Sequence, residues 1–176
     1  GGVIADAAAR RRASGRMLVG AVAIAASVPP LFLALGSAPG EVSGFMVLMG
    51  AGCALMYFYY STVYATIQDV VEPGLRGTAM ALYFFAMYVL GASLGPYGTG
   101  VVSDYFTARA AEAAGVVGAT QAALEPFRAE GLRRAMYLIP ALGALLTLVL
   151  LAASRTVARD SERLQTWMRE SSAVAE

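Results

Sequence analysis

Histidine and lysine are absent from this 176-residue sequence, and cysteine occurs once, at Cys53. Serine and metal-dependent chemistry generally draw on a histidine, so the usual machinery for both is missing. A lone cysteine forms no internal disulfide and anchors no metal site. It reads as a small apolar residue in a packed helix. Charge is scarce as well: 14% of residues are charged, where soluble domains carry about 25%. All thirteen cations are arginine, a sign of a GC-rich genome, and the net charge is +1. Nucleic-acid-binding domains cluster many cations on one face, so a nucleic-acid partner is excluded. These absences predict a protein that is not an enzyme and takes neither cofactor nor metal.

What is present is apolar: 58% of residues are hydrophobic. Four stretches, about 17–35, 44–67, 78–102 and 135–153, reach the roughly 20 residues that a helix needs to cross a bilayer. Pro29-Pro30 lies inside the first and predicts a kink, which membrane helices tolerate where neighbours re-satisfy the freed carbonyls. None of the four holds an Asp, Glu, Arg, Lys or His, so the usual intramembrane proton or ion site is missing from them, as are the paired acids of intramembrane aspartyl hydrolysis. Residues 1–16 read as the end of a preceding helix and a basic loop, and 105–134 as a charged outer segment, helix or loop. An initiator region is not recognisable at "GGVIADAAARRR", which predicts a piece of a longer protein.

An even number of spans puts both ends on one side. That side carries Arg10, Arg11, Arg12, Arg16, Arg76, Arg155, Arg159, Arg163 and Arg169, against Arg109, Arg128, Arg133 and Arg134 opposite. Arginine excess marks the cytoplasmic face, so both termini are predicted to be cytoplasmic. The tail, 154–176, places Val157, Leu164, Trp167 and Met168 on a narrow apolar stripe. Two readings of it stay open: an amphipathic helix lying on the inner membrane surface, or a solvated helix packed on cytoplasmic loops.

The second span ends in "YFYYSTVYATIQD", with hydroxyls crowded into its last three turns and an acid, Asp69, at its close. At 100° per residue, Tyr57, Tyr60, Ser61, Tyr64 and Gln68 fall within about 100° of arc. Polar groups facing lipid are costly, so this face is predicted to look at protein or a water-filled cavity. An aromatic belt at the membrane interface is the plainer reading. It suits Tyr64 better than Tyr57, which lies about 15 Å along the helix from Gln68. Tyr59, Thr62 and Thr66 fall opposite, positioned to bond a neighbouring helix. In the third span Gly91 and Gly95 form a small-xxx-small pair, extended by Gly98 and Gly100, with Pro96 interrupting the helix. At its start, "EPGLRGTAM" is predicted to leave the amides of Gly77, Thr78 and Ala79 unpartnered at the positive end of a helix dipole.

Gly2, Ala5, Asp6, Arg10 and Arg11 are spaced as in the cytoplasmic loop signature of the major facilitator superfamily, which this stretch resembles, with Ala7 and Ala9 departing from it. "EPGLRGTAMAL", "LGASLGPYGTGVVSD" and "GLRRAMYLIP" resemble the entry to that superfamily's eleventh helix, its glycine-rich end and the entry to its twelfth. Within it, "LGP…SD", the long outer loop and "LRRAM" are most similar to bacterial Spinster-type members. The resemblance implies an all-α membrane protein whose four helices form most of the C-terminal six-helix bundle of a major facilitator fold. It implies the ninth to twelfth helices of a secondary transporter of the bacterial inner membrane, with the N-terminal half as partner and an amphipathic or lipid-like small molecule as substrate. Tyr57, Tyr60, Ser61, Tyr64 and Gln68 then become a cavity wall. Asp6, Arg10, Arg11, Arg76, Gly77 and Thr78 become gate residues, with Asp6 docking on a helix of the other half. The alternative is a four-span membrane scaffold or subunit with no substrate path.

Overall fold

A computed structural model describes residues 2–11, 14–38, 40–116 and 120–174, nearly all of them helical. Four of its helices are long and apolar enough to cross a membrane: Gly15–Leu35, Val42–Val70, Pro73–Ala113 and Gln121–Glu170. The chain is therefore a multi-pass membrane protein. Two compact units divide it, one made of Gly1–Leu82 and Leu142–Glu176, the other of Tyr83–Ala141.

The first unit is built on α2 (Gly15–Leu35) and α3 (Val42–Val70), antiparallel across a short turn in which Gly40 takes a φ of +100°. Only a residue without a Cβ adopts that backbone cheaply. Pro29 and Pro30 sit inside α2 without ending it. Two glycines let the helices approach: a Cβ on Gly20 would lie 2.5 Å from Thr62 Oγ1, and one on Gly52 would lie 2.5 Å from Leu31 Cγ. Between these contacts Ala21, Ile24 and Ser27 are almost fully buried, and beyond Thr62 the side chains of Val63 and Thr66 are buried as well. The Thr62 and Thr66 hydroxyls do not bond a neighbouring helix, as the sequence had suggested. Each donates to its own backbone, Thr62 to Tyr59 O and Thr66 to Thr62 O, both at 2.8 Å. Such back-bonding satisfies the hydroxyl locally and leaves the methyl to pack.

Before α2 runs α1 (Gly2–Arg11), which crosses the start of α2 so closely that a Cβ on Gly15 would collide with the Ala8 carbonyl. After α3, a 3-10 turn over Pro73–Leu75 leads into α4 (Arg76–Ala86). The helix thus begins before Thr78, and the carbonyls of Pro73, Gly74 and Leu75 stand one turn ahead of Gly77, Thr78 and Ala79. The amide of Leu75 donates to Glu72 O at 2.9 Å, and Gly77, Thr78 and Ala79 lie in the first turn of α4.

In the second unit a π-helical stretch, Met87–Ser93, precedes α5 (Leu94–Ala113), and α6 (Gln121–Met136) packs back on α5. A Cβ on Gly131 would collide with Thr107 Oγ1 and lie 2.7 Å from Ser103 O. The segment expected as helix or loop over 105–134 is thus largely a helical hairpin. Within α6 the charges pair with one another, Glu130 accepting from Arg133 at 2.7 Å and Arg134 at 2.8 Å. The π-helical stretch has a local cause: Pro96 has no N–H, and its ring crowds the carbonyl one turn back. Widening the preceding turn relieves that crowding.

The last helix, α7 (Leu138–Val174), runs from the apolar stretch into the charged tail. Ser154 and Val157 are buried and Leu164 and Met168 half-buried, while Trp167 is 48% exposed and off that face.

Candidate functional site

Two constellations stand out, both in the first unit. The first is the aromatic face of α3. The face of this helix that meets α2 carries Gly52, Thr62, Val63 and Thr66, so the opposite face is turned away from the hairpin. Tyr57 is 73% and Tyr60 37% exposed; Ser61 and Gln68 are exposed and Tyr64 is half-buried. The rings of Tyr57, Tyr60 and Tyr64 form a ladder, with centroids 5.8 Å apart at each step. Tyr59 joins it from the side, edge-on to Tyr60 at 5.7 Å. Ser61 donates to Phe58 O at 3.0 Å, within its own helix. The ladder presents ring faces and phenol groups along about two turns, an arrangement that covers apolar surface while offering hydrogen bonds.

The second constellation lies where α1, the start of α2 and the end of α3 meet. Antiparallel packing of α2 on α3 carries Arg16 to Asp69, and the close crossing at Gly15 carries Asp6 to the same guanidinium. Arg16 donates to Asp6 Oδ1 from Nε at 3.2 Å and from Nη2 at 2.9 Å, and its Nη1 donates to Asp69 Oδ2. A planar fork with five donors serves two carboxylates where a lysine would serve them as a point charge. Arg16 is 25% exposed, Asp6 55% and Asp69 46%, so each pair contributes on the order of 0.2–1 kcal/mol. Both contacts to Asp6 use Oδ1, leaving Oδ2 for a further partner. Beside them Arg76 donates from Nε to Val71 O at 3.3 Å, bracing the turn that leads into α4. A pocket of about 410 Å³ is lined by Ala9, Arg16, Asp69 and Arg76 with Ser161, Leu164, Gln165 and Met168 of α7.

The structure thus brings Asp6 and Arg76 to one end of the unit and leaves Arg10, Gly77 and Thr78 exposed. The Arg11 side chain lies outside the described residues. Gly91, Gly95, Gly98 and Gly100 have nothing within 4 Å of an added Cβ. Sequence reasoning missed Gly15 and Arg16, and took Asp69 only as the end of a span. Counting from the turn does not find the pair, because Arg16 lies 19 residues before Leu35 and Asp69 lies 27 after Val42.

No family model matches the chain. It is 35% identical over 113 residues to protein spinster homolog 3 of Homo sapiens, covering 61% of this chain and 22% of that protein. It is 36% identical over 87 residues to protein spinster homolog 1 of Xenopus laevis, covering 49% of this chain and 16% of the relative. The corresponding mouse protein is 33% identical over 87 residues, with the same coverage. The chain therefore spans about a fifth of the length of the curated relatives it matches.

Proposed function

We propose that this chain is the C-terminal part of a secondary active transporter of the major facilitator type, moving a small amphipathic or lipid-like solute by alternating access. Its four spans serve as the ninth to twelfth helices, in a bacterial inner membrane with both ends cytoplasmic. The similarity to spinster homologs supports the family. The observation that favours transport over a scaffold is the tyrosine face of α3. A membrane span leaves three ring faces and a serine clear of the helix it packs on, and polar groups at that depth want a partner or a water-filled path.

In this reading Tyr57, Tyr60, Ser61, Tyr64 and Gln68 line the solute path. Asp6, steadied by Arg16 as well as by the loop arginines, offers its remaining oxygen to a helix of the N-terminal half. Arg76 fixes the turn that starts the third span, with Gly77 and Thr78 beside it. The Gly91–Gly100 segment is the surface on which that half packs. Uptake and efflux of a solute panel by the full-length parent in proteoliposomes tests the proposal. At least one amphipathic solute should move, and Tyr60→Ala should slow it about tenfold while expression holds. A parent that moves none of the panel would return the chain to the scaffold class. A reporter active only in the cytoplasm should signal after Glu176 and stay silent near Gly118.

A further inference from the structure

The C-terminal half of α7 presents two different faces. One carries Ser154, Val157, Ser161, Leu164, Gln165 and Met168 within about 100° of arc. Its first two members are 9% exposed, and the other four line the pocket over Arg16, Asp69 and Arg76. The opposite face carries Arg155, Arg159, Glu162, Arg163 and Glu170, exposed and mixed in sign. An anionic membrane surface attracts a basic stripe, and glutamates within this one oppose that role. The apolar face is also already turned to protein. We propose that residues 155–168 are a strap, seated across the Asp6–Arg16–Asp69 cluster and tying α1 to the turn between α3 and α4.

The seat is not a dry core. Ser161 and Gln165 share it with two guanidinium groups and a carboxylate, and the large apolar side chains that line it among the described residues, Leu164 and Met168, are half-buried. A contact of this composition belongs to the low-stability end of a structure, the part from which moving elements are drawn. The strap therefore lifts at modest cost, and while seated it resists separation of α1 from the end of α3. Its seating is independent of the transporter reading; its role in closing one end of a solute path rests on that reading.

Cross-linking in the full-length protein, with Cys53→Ser as background, tests the seating. Ala9→Cys with Met168→Cys should be joined by a short bifunctional thiol reagent at least tenfold faster than Ala9→Cys with Thr166→Cys, on the outer face. Equal rates overturn the strap. Lifting is read separately, by labelling of Ala9→Cys alone with a bulky thiol reagent. Leu164→Asp should raise that labelling at least fivefold, and the milder Met168→Ser about twofold. Unchanged labelling in both overturns the proposal. A protein that passes these tests but moves no solute keeps the strap and loses the transporter.

Discussion

Glycine does two different jobs in this molecule. Gly15, Gly20, Gly52 and Gly131 each sit where a Cβ would collide with a neighbouring backbone or side chain, so they set how closely the helices approach. Gly91, Gly95, Gly98 and Gly100 are denser in sequence and look more like a packing motif, yet nothing lies within 4 Å of a Cβ built on any of them. Spacing in sequence therefore does not say which glycines hold this chain together. The first set is used within the chain. The second is a smooth surface whose use, in our proposal, lies in another part of the protein.

The comparison is broken most directly by adding side chains to both sets. Gly131→Leu meets the backbone of Ser103 and Thr107, which cannot rotate away, and should cost about 3 kcal/mol or more in thermal unfolding in detergent. Gly95→Leu should stay within about 0.5 kcal/mol in this chain, while slowing transport by the full-length parent if the smooth surface is used there. Equal losses of stability would erase the distinction. Gly20→Ala meets only the Thr62 hydroxyl, so about 1 kcal/mol is expected, and Thr62→Ala should recover part of it in a double-mutant cycle.

The same contrast holds between the two faces of α3. In a Cys53→Ser background, Tyr57→Cys and Ser61→Cys should react with a small hydrophilic thiol reagent about tenfold faster than Thr62→Cys, whose site is 0% exposed. Similar rates on both faces would sink the solute-path reading. The smallest effect is expected at the ionic cluster. Asp6→Asn leaves Arg16 its bond to Asp69 and should cost about 0.5 kcal/mol, whereas Arg16→Gln removes both pairs and should cost roughly twice that. Raising the salt should shrink both differences, because the carboxylates are half exposed.

Much of the helical organisation was legible because uninterrupted apolar runs of bilayer length have few other solutions. The polar face of α3 was legible from period alone. What escaped was whatever depends on a partner distant in sequence. Arg16 looked like one more flanking cation until the hairpin set it against Asp69. The third helix begins at Pro73 because the 3-10 turn of Pro73–Leu75 is continuous with α4, and polarity alone had marked that stretch as a connection. Trp167 was assigned to the tail's apolar stripe on hydrophobicity, and it falls outside the face that Ser154, Val157 and Ser161 define. Thr62 and Thr66 were assigned to the correct side of their helix and to the wrong acceptor, since a threonine hydroxyl reaches its own preceding turn more readily than another helix.

The wide turn at Met87–Ser93 has a consequence for arithmetic. A stretch that bonds i to i+5 absorbs about one residue more than an α-helical count allows, so the phase of the third span slips there by about 100°. A wheel drawn straight through residues 73–113 assigns the correct azimuth on one side of Met87 and an incorrect one on the other. Deleting a single residue such as Ala92 would not shorten the span by much. Because the wide turn holds the extra residue, its loss would let the stretch close into α-helix and leave everything beyond it, Pro96 and its glycines included, on nearly the same compass bearing.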